Sequence, residues 1–482
     1  MNAGAVPLCF ALSFTFLLAT HFTFLRLPYH WDELGQFIPA AHDLFTSGAL
    51  VPRSTAPNVH PPLVMAYLAA AWKLFDFAIP VTRVAMLAVA AATMAAAFAL
   101  ARRLSGARAA WTTAALLAVS PPFVAQSMLA HLDLAATLWV LLAVLWFLEG
   151  RMLLCAAAAT ALVLTKETGL IVPVVLAVFA RDTKRRLLIL SPAVTALAVW
   201  LILLRSQTGH WLGNPEFAQY NLAEALRLGR VPLVLLRRIY QLGFADFHWA
   251  GVAVMALAGW RCGALADRPW RLVAAVIASY AVLHSLLGGA VLLRYILPAL
   301  ALFYVATAAA LDALGPKPRR AALTVLLAGL VVCNWWKPPH RMFSFEDNLA
   351  VTDFIRLHQQ AAAWLSDNLP QRKVTTAWPL TDALSNPLLG YVQRPLRVDA
   401  VEDFRSSSWD AVNASDLQVV AVYSRRWEPT RGWRAWLPLA TLARLYFDYT
   451  PQLPNEELMR RFGLRRVARW DRRGQWVEIL VR

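Results

Sequence analysis

Charged residues are scarce in this chain. Asp, Glu, Lys and Arg make up 16% of its 482 residues, whereas hydrophobic residues make up 59%. Soluble domains typically carry about 25% charged residues. The shortage therefore excludes an ordinary soluble globular protein. The mean hydropathy of +0.50 and the repeated apolar runs predict an α-helical polytopic membrane protein instead.

Cysteines are also few. The chain has four, Cys9, Cys155, Cys262 and Cys333, and three of them lie inside apolar runs. Their spacing fits neither a disulfide framework nor a zinc site. The sequence contains no internal repeat and no low-complexity tract, which excludes solenoid and repeat architectures.

Acidic residues are outnumbered, with 29 Asp and Glu against 46 Lys and Arg, a formal net charge of +17. Such a balance can indicate a nucleic-acid partner. Here many of the basic residues occupy short loops between apolar runs, which is typical of membrane topology. The others lie mostly in the polar tail, where an Arg-rich end suits anionic headgroups. We therefore expect membrane lipids as partners and no nucleic acid.

Apolar runs long enough to be candidate membrane helices recur through the first 337 residues. They predict about eleven transmembrane helices. A further apolar segment, 61–75, is short for a span and fits a re-entrant or interfacial helix better. The candidate spans are 6–27, 79–101, 110–129, 132–149, 152–166, 168–180, 187–205, 242–260, 271–288, 291–311 and 320–337.

The loops between these spans differ by side. If the N-terminus is cytoplasmic, every inside loop carries Lys or Arg near the spans, as the positive-inside rule requires. Residues 338–482 are polar and lack a further span. They combine an amphipathic stretch at 348–368 with strand-like runs at 374–378, 417–423 and 476–481. The sequence thus predicts a transmembrane domain, 1–337, and a small extracytoplasmic α/β domain, 338–482.

Nearly all of the unusual polar groups fall in the outside loops. Asp32 and Glu33 follow the first span directly, and acids at a membrane edge are functional candidates. Asp32 suits a general base, while Glu33 and Asp133 could orient an acceptor or bind a divalent cation. Lys166, Arg294 and His60 could bind or balance a phosphate. A base on one side and cations on the other suit group transfer from a phosphate-linked donor.

Each of these residues also has a structural interpretation. Asp32 and Asp133 are good helix-capping types, and Lys166 could pair locally with Glu167. Arg294 could extend to the interface, and His60 could be an ordinary loop histidine. Four arginines of the outer loop 206–241 fit either an interfacial helix on anionic headgroups or phosphate recognition: Arg227, Arg230, Arg237 and Arg238.

The order of these motifs resembles a known family. The motifs are Asp32-Glu33 after the first span, His60-Pro61-Pro62-Leu63, Leu132-Asp133, Thr165-Lys166-Glu167-Thr168-Gly169 and Arg294-Tyr295-Ile296-Leu297-Pro298. Together they resemble the GT-C membrane glycosyltransferases, in the branch of the protein O-mannosyltransferases and the lipid A aminoarabinose transferases. The resemblance covers about residues 1–340. It departs at His60, where some relatives have Lys.

The resemblance implies an inverting cell-envelope glycosyltransferase with a polyprenyl-phosphate-sugar donor and transfer at the outer face. The carboxylates permit a divalent cation as cofactor, but no ligand spacing demands one. Asp32 matches the catalytic acid of the first loop, Asp133 the second-loop carboxylate, and Lys166 and Arg294, with Tyr295, the donor-phosphate positions.

It further implies a bacterial inner membrane as the location. The sugar, hexose or pentose, and the acceptor, a lipid, glycan or protein, stay open. The alternative function is a transporter or flippase of polyprenyl-linked sugars, which would need polar groups within the spans and an inside gate.

Overall fold

The computed structural model describes residues 4–227, 229–263, 265–336, 343–427, 437–447, 449 and 451–482. The chain forms two compact units. The first contains Met1–Thr23 and Ala40–Trp336, and the second contains Phe24–Pro39 and Lys337–Arg482. The predicted division at residue 337 did not assign the short segment Phe24–Pro39 to the polar tail. The roles of a catalytic and an extracytoplasmic domain stay predictions.

Helices make up the first unit. Helix α2 runs across the boundary between the two units at residues 39 and 40. The helices are α1 Ala5–His21, α2 Ile38–Ser47, α3 Leu63–Phe75, α4 Ile79–Ser105, α5 Ala107–Val119, α6 Pro121–Gln126, α7 Leu132–Leu148, α8 Met152–Thr165, α9 Ile171–Phe179, α10 Thr183–Thr208, α11 Pro215–Ala218, α12 Arg230–Gly243, α13 His248–Cys262, α14 Arg268–Leu286, α15 Leu297–Asp312 and α16 Pro316–Cys333.

The expected number of about eleven spans is not confirmed. Five helices of the described residues are long and apolar enough to cross a membrane, or six if the bent pair Arg230–Gly243 and Ala245–Arg261 is one span. Several predicted spans are shorter apolar helices, including Leu132–Leu148 and Met152–Thr165. The five long helices still have the length and composition that are expected of an integral membrane protein.

Helix α15 is the centre of the first unit. It is apolar on every side and nearly all of its residues are buried. It packs against α4, α5, α7, α13 and α14, and α4 in turn packs against α1, α5 and α7. A helix that is apolar all round is expected to be enclosed by other helices. Candidate site residues lie in the first turn of α7 and in the turn immediately before α15.

The second unit contains a mixed sheet in the order β2-β1-β3-β5-β4. Strand β1 is parallel to β2 and β3, whereas β5 is antiparallel to β3 and β4. The strands are β1 Val374–Ala377, β2 Val398–Val401, β3 Val419–Tyr423, β4 Arg465–Arg472 and β5 Gln475–Val481, and the helices are α17 Ala350–Asn368, α18 Leu380–Ser385, α19 Leu437–Tyr446 and α20 Asn455–Phe462.

The amphipathic stretch predicted at 348–368 is α17, which packs its apolar side on β4 and β5. The three strand-like runs correspond to β1, β3 and β5. Strands β2 and β4 were not predicted, because their sequences, Val398–Val401 and the Arg-rich Arg465–Arg472, lack the continuous apolar character of a buried strand.

Candidate functional site

Asp133 lies in the first turn of α7, directly after the N-cap residue His131 and Leu132. Its residue exposure is 4%, so its carboxylate is almost withdrawn from solvent. The ring of His131, two residues earlier in the chain, forms a hydrogen bond with Gln126. His131 Nδ1 lies 2.8 Å from Gln126 Oε1. A buried carboxylate is costly unless cations or hydrogen-bond donors accompany it.

Lys166 supplies the first of those cations. It stands in extended backbone between the end of α8 and the short 3-10 turn Glu167–Leu170. This break in the helical backbone directs the chain so that Lys166 Nζ donates to Asp133 Oδ1 at 2.6 Å. Both side chains are less than 10% exposed. A buried and hydrogen-bonded ion pair thus joins two residues that are 33 positions apart.

Arg294 supplies the second cation. It lies in the 3-10 turn Leu293–Ile296 immediately before α15, and its Nε is 3.7 Å from Asp133 Oδ2. Tyr295 faces both cations: its ring centroid is 4.3 Å from Lys166 Nζ and 5.4 Å from Arg294 Cζ. Both distances are within the usual range of a cation–π contact. Asp133, Lys166, Arg294 and Tyr295 therefore form one cluster, the cation cluster.

His60 is placed beside this cluster through Glu167. Its ring Nδ1 lies 2.8 Å from Glu167 Oε2, and the two side chains are 15% and 18% exposed. The structure thus pairs Glu167 with His60, while its chain neighbour Lys166 pairs with Asp133. The local Lys166–Glu167 pair considered from the sequence is not the pairing that forms.

Asp32 and Glu33 belong to the other compact unit. Asp32 is half-buried at the N-cap of the short helix Glu33–Phe37. Glu33 is fully buried, and its Oε2 accepts a hydrogen bond of 2.7 Å from the His30 backbone N–H. Glu33 therefore stabilises the turn that carries Asp32.

A divalent cation does not fit these residues as they stand. Asp133 already faces two cationic side chains, which would repel a metal ion, and Glu33 caps a backbone N–H. Within the described ranges there is no group of three or more His, Cys, Asp or Glu side chains that could hold a metal ion. The metal role suggested for Glu33 and Asp133 has no support from the geometry.

Sequence reasoning did not select His284. Its ring stacks on Tyr295 with 5.7 Å between centroids, it is buried in α14, and it borders the cation cluster. Its position as a titratable residue inside an apolar run could have identified it as a functional candidate. The same signal marks Arg83 of α4, which is fully buried and donates from NH1 to the Met128 carbonyl at 2.8 Å, three residues before His131.

Two arginines of the segment 206–241 have a structural role. Arg238 is buried and donates to the Leu292 carbonyl at 2.6 Å and to the His284 carbonyl at 3.4 Å. Arg230 donates to the carbonyls of Gly288 and Gly289 at 3.1 and 2.6 Å. Both therefore fix the backbone that leads into Arg294. This use was neither the headgroup contact nor the phosphate contact considered from the sequence.

Known proteins share part of this sequence and its fold. Residues 59–210 match the family model described as dolichyl-phosphate-mannose-protein mannosyltransferase. That segment contains His60, Asp133 and Lys166, and it covers less than half of the chain. No curated protein sequence matches the chain.

Two solved structures are similar over most of the chain. One is ArnT from Cupriavidus metallidurans bound to undecaprenyl phosphate, with 17% identity, a TM-score of 0.58 and coverage of 99% of this chain and 98% of that one. The other is the oligosaccharyltransferase of Archaeoglobus fulgidus, with 13% identity, a TM-score of 0.50 and coverage of 88% and 70%. The GT-C fold that the motifs implied is confirmed.

Proposed function

We propose that this protein is an integral membrane glycosyltransferase that moves a hexose or a pentose from a polyprenyl-phosphate carrier to an acceptor. The observation that carries the proposal is the cation cluster. Lys166 and Arg294 both approach the carboxylate of Asp133 and the ring of Tyr295. A donor phosphate would bring further negative charge to these two cations, and Arg and Lys are the side chains that bind phosphate best.

The reaction is a single displacement. The carboxylate of Asp32 takes the proton of the acceptor hydroxyl or amine, whose oxygen or nitrogen bonds to the anomeric carbon. The bond from that carbon to the phosphate oxygen breaks, and the polyprenyl phosphate leaves with the electron pair. Lys166 and Arg294 balance the charge that develops on the leaving phosphate. Attack opposite to the leaving group inverts the anomeric carbon.

Asp133 and Tyr295 act on the two cations. Asp133 holds Lys166 and Arg294 in place before the donor binds, so that the phosphate meets preorganised groups. The Tyr295 ring supports both cations from its face. His60 pairs with the Glu167 carboxylate. Lys166 can therefore pair with Asp133 and bind the phosphate.

A lipid-linked donor accounts for a transferase embedded in a membrane. One protein of the same fold has been solved with undecaprenyl phosphate bound. The Lys and Arg residues near the spans support a cytoplasmic N-terminus, with the proposed site on the outer face. We assign the protein to a bacterial inner membrane, with the polar unit outside and a lipid, glycan or protein of the cell envelope as acceptor.

The first test is binding. The purified full chain in detergent should bind undecaprenyl phosphate, and Lys166→Met together with Arg294→Met should weaken this binding by roughly 100-fold. Arg268→Met is the control, because Arg268 is exposed at the start of α14. Equal affinity of the double variant and the wild type would remove the phosphate role of the cluster.

The second test is turnover. Membranes containing the wild type and supplied with radiolabelled undecaprenyl-phosphate hexose and pentose should transfer label and release undecaprenyl phosphate. Asp32→Asn should lower turnover by about 100-fold or more. Correctly folded Asp32→Asn protein with full transfer activity would disprove the role of Asp32. Transfer by protein in detergent also separates an enzyme from a flippase, since transport needs two compartments.

A further inference from the structure

The segment that carries Asp32 folds with the C-terminal part of the chain. In sequence it lies between α1 and the rest of the helical unit, yet Phe24–Pro39 belongs to the same compact unit as Lys337–Arg482. Six of its residues are almost completely buried: Tyr29, His30, Glu33, Leu34, Phe37 and Ile38. A loop end of this kind would ordinarily be exposed.

Two polar contacts of the Tyr29 backbone come from residues 389 and 391. The Tyr29 N–H donates to the Leu389 carbonyl at 3.4 Å, and the Tyr391 hydroxyl donates to the Tyr29 carbonyl at 2.9 Å. Tyr29 itself is fully buried. Both backbone groups three residues before Asp32 are therefore satisfied by the C-terminal part of the chain.

Trp378 supports the residues on either side of Asp32. Its ring meets the Trp31 ring edge to face, with 4.9 Å between centroids. The Trp378 ring also packs closely against Gly35, where an added Cβ would lie 3.0 Å from Cζ2 of Trp378. Asp382 fixes the indole, since Nε1 donates to Asp382 Oδ2 at 3.1 Å.

Trp31 adopts a backbone conformation that needs such support. Its φ is +46°, in the left-handed region that bulky side chains rarely adopt. Residues held in this region persist only where their surroundings fix them, and they concentrate at functional sites. Besides Trp378, the Phe354 ring of α17 packs against His30 at 5.1 Å and Trp31 at 6.0 Å.

We propose that Trp378 and Tyr391 are positioning residues for the transfer reaction, which fix the backbone on either side of Asp32 so that its carboxylate is held for proton transfer. The polar tail is thus part of the catalytic apparatus. This inference rests on the proposed function, because it takes Asp32 as the proton acceptor. Misplacing a catalytic group by about 1 Å can lower a rate about 100-fold.

The principal experiment separates turnover from donor binding in the full chain. Trp378→Leu and Tyr391→Phe should each lower kcat by about 10- to 100-fold, while affinity for undecaprenyl phosphate stays within about twofold. Trp378→Phe should recover part of kcat, because it keeps an aromatic face toward Trp31. The matched control is Trp364→Leu, a half-buried tryptophan of α17 that packs near Trp470.

A second readout does not depend on activity. Amide hydrogen exchange over residues 29–37 should become at least about tenfold faster in Trp378→Leu and Tyr391→Phe, and stay unchanged in Trp364→Leu. A variant that fails to fold would accelerate exchange throughout strands β1 and β3 as well. Tyr391→Phe removes one hydroxyl, so it keeps the test usable if Trp378→Leu unfolds.

Gly35 provides a pairwise test. Gly35→Ala should lower kcat, because the added Cβ meets the Trp378 ring. In the Trp378→Leu background the same substitution should have little further effect, since the obstructing ring is gone. This non-additivity is expected only for residues in contact.

The two proposals fail in different ways. If Asp32→Asn is inactive while Trp378→Leu and Tyr391→Phe keep wild-type kcat and exchange, the positioning role is overturned and the proposed function stands. If Asp32→Asn transfers sugar at the wild-type rate, the proposed role of Asp32 fails and the positioning role fails with it. Reduced kcat, faster exchange at 29–37 and unchanged undecaprenyl phosphate affinity support the proposal.

Discussion

Lys166 Nζ lies 2.6 Å from Asp133 Oδ1, and both side chains are less than 10% exposed. The pair joins the first turn of α7 to the break between α8 and α9. Arg294 reaches the other carboxylate oxygen of Asp133 from the turn before α15. One carboxylate therefore links three separate parts of the helical unit, so it serves both the fold and the proposed phosphate site.

Replacing Asp133 should destabilise the helical unit. Asp133→Asn leaves Lys166 and Arg294 buried without their shared carboxylate, and breaking a buried pair in this way costs about 3–5 kcal/mol. Thermal unfolding in detergent should show a lower Tm. The double variant Asp133→Asn/Lys166→Met should recover part of the loss, because one of the two buried charges is then gone.

The control for Asp133→Asn is Glu402→Gln. That substitution also breaks an ion pair of 2.6 Å, but the Glu402 side chain is 76% exposed. Exposed pairs contribute about 0–1 kcal/mol, so its Tm should barely change. Equal effects of the two substitutions would contradict the buried-pair account.

Arginine and lysine should not be interchangeable at position 294. Arg294→Met should weaken undecaprenyl phosphate binding about 10- to 100-fold, the value of one charge-assisted hydrogen bond. Arg294→Lys should recover only part of this, because an ammonium lacks the planar fork of the guanidinium. Titration of the purified variants gives the comparison. Full recovery with Lys would indicate that charge alone matters there.

His60 should act on phosphate binding through Glu167. His60→Ala removes the partner of the Glu167 carboxylate, which then competes for its neighbour Lys166. We expect undecaprenyl phosphate affinity to fall about five- to tenfold. His60→Ala/Glu167→Gln should restore it. If the double variant binds as weakly as His60→Ala, His60 contacts the phosphate directly.

The four residues of the cation cluster were all selected from the sequence, and their role in catalysis stays a prediction. Asp133, Lys166 and Arg294 are charged residues in or beside apolar runs, where a charge is costly and seldom placed without a use. Their pairing was not predictable, since Glu167 stands next to Lys166 and looked like its natural partner. Only the backbone geometry at the break after α8 turns Lys166 toward Asp133.

The boundaries of the two units were harder to predict from the sequence. Segment Phe24–Pro39 reads as a loop after the first apolar run, and its contacts with Trp378 and Tyr391 join residues more than 340 positions apart. No periodicity carries such information. The expected number of about eleven spans is not confirmed for a related reason: apolar composition alone does not distinguish a spanning helix from a shorter apolar helix such as α8.

The stability of the polar unit should fall in mild acid because of His358. This residue of α17 is buried against Phe354 and Tyr423, and burial lowers its pKa from 6.5 to about 4. Between these two values the unfolded chain binds more protons than the folded one, so stability is complete above pH 6.5 and declines as the pH falls. The loss between pH 7 and pH 5 should be about 2 kcal/mol.

His358→Leu should remove this component while keeping an apolar side chain beside Phe354. The measurement is unfolding of the full chain in detergent at several pH values from 5 to 7, followed for residues 350–482 by hydrogen exchange. The difference between wild type and His358→Leu isolates the histidine from other titrating groups. His210→Leu is the control, because His210 is exposed. If wild type and His358→Leu lose stability in parallel toward pH 5, His358 is charged in the folded state and the burial argument is wrong.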